Sequence, residues 1–460
     1  MRPIQTGVQF QIDDPLIQKL HNAAEAKLKE NIKDFGGRPV LIEGGGYHKI
    51  WLGTQPMGGE MYAKRDMAAA INNQLLFMEY QREDGRIPGS IMVENGRVIP
   101  QFNKFQGFCF PDPALNVYFW MGQDKEYLKM LGRSLERFDS YLWRVRDSDH
   151  DGLLESWCVY DTGEDNALRY GDAPCWWEEE TPPLGFEVVP MASMDFMSFS
   201  YSARSTLAKI STILENGKAD FWRGEAEEIR QKIRAHFWNE DRGACFDRDK
   251  TGRRMNTLTH NNLRCMYWGS FTMDMARRFV SEHLLNPEAF WTPMPLPSVS
   301  VSDPLFRNVP TNDWSGQPEG LTYQRAIHAL ENYGYHKLIP VLARKLFEGI
   351  GHDCIFTQQF DPFTSKPSGD TDGYGPTMLA VLEYISRLYG VHLKGEEIHW
   401  GVAGGRDCVY TQVWGNRAYT LQCDGRRATA LVDGKTAFSS DAGVRVTTDY
   451  HGNVLHSVPI

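Results

Sequence analysis

The chain has 460 residues, of which 42% are hydrophobic and 23% are charged, a balance typical of a globular protein. Its formal net charge is −10 and no run of lysine and arginine stands out, which argues against nucleic acid or an anionic membrane as a partner. Aromatic residues make up 12% and include 13 tryptophans, which suits sugar binding but equally suits a large core with big side chains.

Apolar residues recur at steps of three and four in several segments, which is the spacing of one helical face. This pattern predicts helices at 124–146, 207–214, 226–237 and 378–389, the last closed by a left-handed cap at Gly390. Between the helices lie long loops rich in Trp, Pro, Gly and acidic residues, at 40–66, 97–116, 147–192, 290–320 and 351–377. Structureless loops of this length are usually functional, so we expect a helical ring with a site at one mouth.

The final stretch of the chain has a different pattern. From about residue 397, short β-prone runs alternate with turn signals at Trp414-Gly415, Asp424-Gly425 and Asp433-Gly434. We therefore predict two domains, a helical part at 1–396 and a small β-rich appendage at 397–460.

The eight cysteines are scattered, without the paired spacing of a zinc site, which predicts reduced thiols. The first residues lack the pattern of a signal peptide, and no apolar stretch reaches the length that a bilayer requires. We expect a cytoplasmic protein that does not enter the membrane.

An acidic loop follows the predicted helix at 124–146. Alternating carboxylates around a glycine can wrap a hard cation with oxygen ligands, and a backbone carbonyl can add another. A structural calcium ion is one interpretation, and an acidic turn that caps the helix is the other. The candidate ligands are Asp147, Asp149, Asp151, Leu153 and Glu155.

The next segment carries the strongest motif, DTGEDNALRY at residues 161–170. It resembles the ESGxDNSPR motif of the clan that contains trehalase, processing α-glucosidase I, and the bacterial mannosylglycerate and glucosylglycerate hydrolases. The resemblance implies an all-α fold, the (α/α)6 toroid with a small C-terminal β appendage, and an inverting glycoside hydrolase. It also implies that Asp165 is the general acid and that Asp161, which replaces the Glu of the motif, contacts the sugar.

Further segments resemble the clan's motifs in the same order along the chain. AKRDMAAA, FQGFCFPDP and DWSGQPEGLTYQRAIHAL imply sugar contacts by Asp66, Gln106 and Trp314, with Glu319 at a second aromatic position of the motif. MASMDFMSFSYS places Asp195 at the start of a helix. The WWEEE run that begins at Trp176 either lines the pocket or forms an acidic turn, and His48 and Lys49 are candidates for binding an anionic aglycone.

Inversion needs a second carboxyl group that activates water on the far side of the sugar. The clan's general base maps to Gln358 in FTQQFDP, and an amide does not take a proton from water at neutral pH. Three interpretations remain open. Gln358 is a Glu-to-Gln replacement that inactivates the chain, the base has moved to another acid, or the protein binds sugar without cleaving it. The candidates for a moved base are Glu319, Asp370 and Asp372.

The sequence therefore predicts an inverting glycosidase that releases an α-linked glucosyl or mannosyl unit from a small glycoside and needs no cofactor. A non-hydrolytic sugar-binding protein is the alternative. Phosphorolysis, elimination or epimerisation on the same toroid is a third possibility, although no pair of histidines suitable for an epimerase stands out.

Overall fold

The computed structural model describes residues 4–460. Within them the chain forms α-helices α1 to α12, four short helical turns and strands β1 to β20. The α-helices are, in chain order, Pro15–Glu30, Gln55–Tyr62, Met67–Glu79, Pro111–Trp120, Lys125–Val145, Met194–Ile213, Ala219–Lys232, Asn261–Trp268, Met273–Phe279, Gly320–Asn332, Leu338–Ile350 and Gly375–Tyr389.

The even-numbered helices form a closed inner ring. Each of α2, α4, α6, α8, α10 and α12 packs against the next, and α12 packs back against α2. The odd-numbered helices lie outside this ring, and α1, α3, α5, α7 and α11 each pack against a helix of it. The inner helices are buried along almost their whole length, and α12 is buried at every one of its residues. This alternation of inner and outer helices is the predicted (α/α)6 toroid.

Local sequence explains where the helices begin. Asp124 accepts hydrogen bonds from the backbone N–H groups of Glu126 and Tyr127, so α5 begins beside it. The predicted helical face of α5 is buried, as its spacing required. Gly390 ends α12 in an extended conformation with a φ of −151°, so the predicted left-handed cap is wrong. A side chain there would collide with the ring of Tyr410, 2.6 Å from the position of a Cβ, which explains the glycine.

The strands are shorter and more widely distributed than the sequence indicated. In order they are Thr6–Ile12, Ile32–Asp34, Pro39–Leu41, Ile50–Trp51, Ser90–Glu94, Arg97–Gln101, Glu155–Ser156, Met191–Ala192, Trp238–Asn239, Ala244–Cys245, Gln359–Phe360, Pro367–Ser368, Val391–Lys394, Glu397–Val402, Asp407–Trp414, Arg417–Asp424, Arg427–Val432, Lys435–Asp441, Val444–Thr448 and Val454–Pro459. Strands β2 to β12 form small hairpins and ribbons within the loops of the toroid.

The C-terminal strands form two antiparallel sheets. One has the order β1-β15-β16-β17-β18 and the other β13-β14-β19-β20. The turn predicted at Asp433-Gly434 joins β17 to β18, with both residues at positive φ as a tight hairpin requires. Strands β1 and β13 come from the part of the chain predicted as helical, so these sheets draw on more than residues 397–460. The all-α class is therefore not confirmed, although the toroid is.

None of the described helices combines the length and the apolar composition needed to cross a bilayer.

Candidate active site

The loops that lead into the inner helices meet at one mouth of the toroid and enclose a pocket of about 360 Å³. A volume near the lower end of the range for ligand sites suits a small molecule. Carboxyl, amide, lysine and aromatic side chains face each other across it. The lining residues are Glu43, Tyr47, Lys49, Trp51, Thr54, Gln101, Asn103, Lys104, Gln106, Tyr160, Gly163, Asp165, Trp176, Trp314, Leu321, Arg325, Gln358 and Tyr374.

Asp165 lies in this pocket with both carboxyl oxygens held by amides. Gln106 Nε2 donates to Oδ1 at 3.2 Å, and Asn312 Nδ2 donates to Oδ2 at 2.9 Å. Burial raises the pKa of Asp165 above its ordinary value, and the two amide donors oppose part of that rise. A carboxyl group with a raised pKa, fixed in orientation and open to the pocket, suits a general acid.

Gln358 uses both ends of its amide in the same network. Its Oε1 accepts from the hydroxyl of Tyr47 at 2.9 Å, and its Nε2 donates to Asn312 Oδ1 at 3.1 Å. Asn312 in turn donates to Asp165, so donors and acceptors alternate from Tyr47 to the carboxyl group. A carboxylate at position 358 would face the oxygen of Asn312 instead of donating to it.

Glu43 is a second carboxyl group that lines the pocket. Its Oε1 accepts from the hydroxyl of Tyr374 at 2.9 Å, and its side chain is 7% exposed. Burial, with a smaller contribution from the charge of Asp165, raises the pKa of Glu43 to about 8, against the effects of Tyr374 and Arg325.

Two lysines flank Trp51 without a carboxylate partner among the described residues. Lys49 donates to Gln101 at 2.8 Å and Lys104 donates to Asn103 at 2.9 Å. Burial, with a smaller contribution from the charge of Lys49, lowers the pKa of Lys104 to about 8. Of the two residues hypothesised to bind an anionic aglycone, Lys49 lines the pocket and His48 does not.

A buried network of ion pairs surrounds Glu164, the residue before Asp165 in the motif. Glu164, next to Asp165, contacts Arg169 at 2.5 Å, His260 at 3.2 Å and Arg264 at 3.4 Å. Arg264 also contacts Asp195 at 3.0 Å, which places that predicted residue in the network and outside the pocket lining. The charges of Arg169 and Arg264 outweigh burial and hold the pKa of Glu164 well below its ordinary range.

Three other predicted residues line the pocket together with Asp165. Gln106 contacts the acid directly, and Trp314 donates its backbone N–H to the Asp165 carbonyl at 3.0 Å. Trp176, from the WWEEE run, is 56% exposed and lies at the rim. An exposed aromatic ring at the edge of a polar pocket offers a flat apolar face to a ligand.

Three further predicted residues lie elsewhere. Asp66 accepts from the backbone N–H groups of Ala68 and Ala69 and begins α3, outside the pocket lining. Asp161 is fully buried, with Arg146 at 2.6 Å, and it fixes the backbone near Gln106. Glu319 is also fully buried, behind Gln358, and neither of its oxygens meets a hydrogen-bond donor among the described residues.

The acidic loop brings three of its five candidate ligands together. Carboxylate oxygens of Asp147, Asp149 and Asp151 lie within 4.8 Å of one another. Both oxygens of Glu155 accept from Ser148, at 2.9 and 2.7 Å, and one also accepts from the indole of Trp157 at 2.7 Å. The side chain of Glu155 is therefore committed elsewhere, and Leu153 would add only its carbonyl.

Sequence reasoning missed Glu43, Tyr47, Asn312 and Arg325. A signal for the first two existed in the run EGGGYHKIW, where three glycines at positive φ allow a tight turn next to Tyr374. Asn312 lies two residues before Trp314, inside a motif that was recognised for its tryptophan alone.

Comparisons with known proteins agree with this architecture. The family model of the mannosylglycerate hydrolase MGH1-like glycoside hydrolase domain matches residues 60–376. No curated protein matched the chain in sequence.

Among solved structures, the mannosylglycerate hydrolase of Thermus thermophilus in complex with glucose is similar with a TM-score of 0.63 and 16% identity, over 79% of this chain and 99% of that one. Neutral trehalase from Saccharomyces cerevisiae has a TM-score of 0.55 and 14% identity, over 76% and 74%. A protein named sialidase has a TM-score of 0.74 and 16% identity, over 96% of this chain and 41% of that one, so it covers nearly all of this chain.

Identities this low support the fold alone, and the match to the family model supports the family. The clan predicted from the motifs is confirmed, and the chain belongs to the mannosylglycerate hydrolase MGH1-like glycoside hydrolases.

Proposed function

We propose that this protein hydrolyses a small α-glucoside or α-mannoside with inversion of configuration, and that Asp165 is the general acid. The observation that carries the proposal is the position of Asp165. It is held by two amides in a small polar pocket between Trp314 and the Trp176 rim, with a pKa raised by burial. In this mechanism Asp165 protonates the oxygen of the leaving group while water attacks the opposite face of the sugar.

The reaction uses carboxyl groups and water and needs no cofactor. Hydrogen-bond donors and acceptors in the pocket suit the hydroxyl groups of a sugar, and the volume of about 360 Å³ favours a short substrate over a polymer. All eight cysteines are free thiols, which supports the proposal of a cytoplasmic, reducing location.

The hydrogen bonds of Gln358 favour a moved base over an inactivated chain. The amide of Gln358 donates to Asn312 Oδ1 and accepts from the hydroxyl of Tyr47. With its oxygen turned towards Gln358, the amide of Asn312 has its Nδ2 free to donate to Asp165. A glutamate at position 358 would lose one of these bonds and add a negative charge. Gln358 thus fits the site as a residue that orients the network, and the base is another carboxyl group.

A sugar-binding protein without hydrolytic activity is the second candidate, because Gln358 occupies the position of the clan's base. The two functions differ in turnover and share ligand binding. Calorimetric titration with sugars that show no cleavage would favour the binder.

The first experiment measures hydrolysis of a panel of α- and β-linked glucosides and mannosides, with proton NMR to follow the anomer that is released first. We expect cleavage of an α-glycoside and initial release of the β-anomer. Asp165→Asn is expected to lower kcat by about 10²–10⁴-fold on substrates with a poor leaving group. The loss should be much smaller for dinitrophenyl glycosides, whose leaving group needs no proton. Initial release of the α-anomer would contradict inversion, and equal losses on both substrate types would contradict the acid role.

A further inference from the structure

Four other carboxyl groups lie near the pocket or were candidates for a moved base, and their surroundings separate them. Glu319 has 0% exposure, so no water molecule reaches its oxygens. Asp372 binds Lys27 at 2.5 Å together with the backbone N–H of Phe356 at 2.9 Å, and Asp370 is exposed outside the pocket. Glu43 alone among these four faces the same space as Asp165.

The backbone fixes Glu43 in its position. Its N–H donates to the carbonyl of Lys49 at 3.2 Å, and its carbonyl accepts from Gly375 N at 2.7 Å. Gly375 is the first residue of α12, and a side chain there would meet the Glu43 carbonyl at 2.5 Å. The turn that carries Glu43 is therefore docked on the end of an inner helix, and a rigid mount of this kind suits a reacting group.

Contacts between Glu43 and Asp165 are indirect. Asp165 binds Asn312, whose Nδ2 also lies 3.2 Å from the Tyr47 hydroxyl, and the ring of Tyr47 meets that of Tyr374 edge-on. Tyr374 then donates to Glu43. Inverting enzymes keep their two carboxyl groups apart, about 6.5–9.5 Å, so that water fits between one of them and the sugar. Glu43 and Asp165 line the same pocket, and no hydrogen bond joins them directly.

We propose that Glu43 is the second catalytic carboxyl group and acts as the general base. The inference rests on the proposed hydrolytic function. In the reacting complex, the Glu43 carboxylate takes a proton from water as the water oxygen bonds to the anomeric carbon. The bond from that carbon to the glycosidic oxygen breaks, its electron pair stays on the oxygen, and that oxygen takes the proton of Asp165. Afterwards Glu43 is protonated and Asp165 is ionised, and exchange with solvent restores both.

The surroundings of Glu43 and Asp165 favour a state in which the two carboxyl groups hold one proton between them. Each carboxyl group is buried, and the charge of ionised Asp165 adds to the effect of burial that raises the pKa of Glu43 to about 8. The hydroxyl of Tyr374 and the guanidinium of Arg325 stabilise the ionised form of Glu43. The catalytic form, with Glu43 ionised and Asp165 protonated, holds one proton, so its population should be largest between the two pKa values of the pair and should fall as the pH rises past 8.

The test compares Glu43→Gln with Glu319→Gln and with Glu60→Gln as a matched control. Glu60 is also a buried glutamate with a raised pKa, about 7 because of burial, but it lines a separate cavity. On the best glycoside of the panel, we expect Glu43→Gln to lower kcat by about 10²–10⁴-fold for good and poor leaving groups alike. Glu60→Gln should stay within twofold of the parent chain.

Azide gives a readout that a structural role of Glu43 would not produce. Azide needs no base, so it should restore turnover of Glu43→Gln and release a glycosyl azide of inverted configuration. The acidic limb of the pH profile should vanish in the rescued reaction while the alkaline limb persists. Glu43→Asp keeps an ionisable group, so it should retain the acidic limb with a lower kcat. This variant provides the test if the Glu43→Gln chain does not fold.

Activity of Glu43→Gln within tenfold of the parent would overturn the inference and leave the proposed function in place. The same conclusion would follow if azide rescued Glu319→Gln and not Glu43→Gln. A folded parent chain that cleaves no glycoside would instead overturn the proposed function, and the role of Glu43 would be rejected with it.

Discussion

Two cavities of the toroid differ in their charges, and the larger one is the less suited to catalysis. It measures about 660 Å³ against about 360 Å³ for the loop-lined pocket, and residues on the helices themselves form most of its wall. Several of its charged side chains form ion pairs, whereas Glu60 binds the amide of Asn116. Asp112 contacts Lys209 at 2.8 Å and His328 at 3.2 Å, and Arg230 contacts Glu227 at 2.5 Å.

In the smaller pocket, by contrast, the described residues form no ion pair with Glu43 or Asp165, and amides and a phenol hold them instead. Burial tends to raise the pKa of Asp112, but Lys209 and His328 outweigh it and bring that pKa well below the ordinary range. The pKa of Glu43 reaches about 8 because burial outweighs the lowering effects of Tyr374 and Arg325. Neutral hydrogen-bonding partners leave a carboxyl group able to exchange a proton near neutral pH, which paired charges prevent.

Among substitutions that change the charges of one of these two cavities, Gln358→Glu should have the largest effect. A new negative charge in the pocket would raise the pKa values of Asp165 and Glu43 and disrupt the hydrogen bonds that join residue 358 to Asp165 through Asn312. We therefore expect kcat to fall by about 10–100-fold, where each factor of ten corresponds to about 1.4 kcal/mol in the activation free energy. Steady-state kinetics against Asn116→Asp, which adds the same charge in the larger cavity, gives the control. A gain of several orders of magnitude would show that Gln358 inactivates the chain.

Trp176→Ala should affect binding more than chemistry. The ring lies at the rim and is 56% exposed, so its loss removes apolar contact with the substrate and leaves Asp165 in place. We expect KM to rise about tenfold, which corresponds to about 1.4 kcal/mol, with kcat nearly unchanged. Phe119→Ala, in the larger cavity, should leave KM as it is. An unchanged KM in Trp176→Ala would remove the rim from the substrate site.

Stability should depend on pH with opposite sign in the two cavities. The folded-state pKa of Glu43 is raised to about 8. The protonated Glu43 side chain therefore makes its full contribution to the free energy of unfolding below the unfolded pKa of about 4.3, and this contribution is lost as the pH rises towards 8. The folded-state pKa of Asp112 is lowered, so its contribution is present above about pH 3.9 and is lost as pH falls.

Thermal unfolding midpoints measure this difference. Relative to Glu43→Gln, the parent chain should lose stability from pH 5 to pH 8. Relative to Asp112→Asn, it should lose stability as the pH is lowered to about 3. Parallel curves for the parent and Glu43→Gln would show that Glu43 has an ordinary pKa.

The smallest expected effect concerns the acidic loop. We propose that calcium binds Asp147, Asp149 and Asp151 weakly, because Glu155 is occupied by Ser148 and Trp157. Millimolar calcium should raise the unfolding midpoint by a few degrees in the parent and not in Asp149→Asn. Equal shifts in the two proteins, or none, would reject the site.

The sequence by itself determined the features that depend on neighbouring residues. The spacing of apolar residues defined α5, and the Asp-Gly dipeptide defined the β17–β18 turn. A contiguous motif predicted Asp165 as a site residue, and Asp165 lines the pocket. Local likeness does not separate an aspartate that begins a helix from a sugar-binding aspartate, and Asp66 begins α3 in the structure. Only the position of its carboxylate, on the N–H groups of Ala68 and Ala69, separates the two.

Tertiary structure alone decided which distant groups share the pocket. Glu43, Asn312 and Gln358 come from loops before α2, α10 and α12, and the closure of the inner ring brings those loops to one mouth with Asp165. Neither their contacts nor their pKa values are encoded in local spacing, since burial and hydrogen bonding depend on every segment that surrounds a group. The role proposed for Gln358 likewise rests on its partners Tyr47 and Asn312, which lie far from it in the chain.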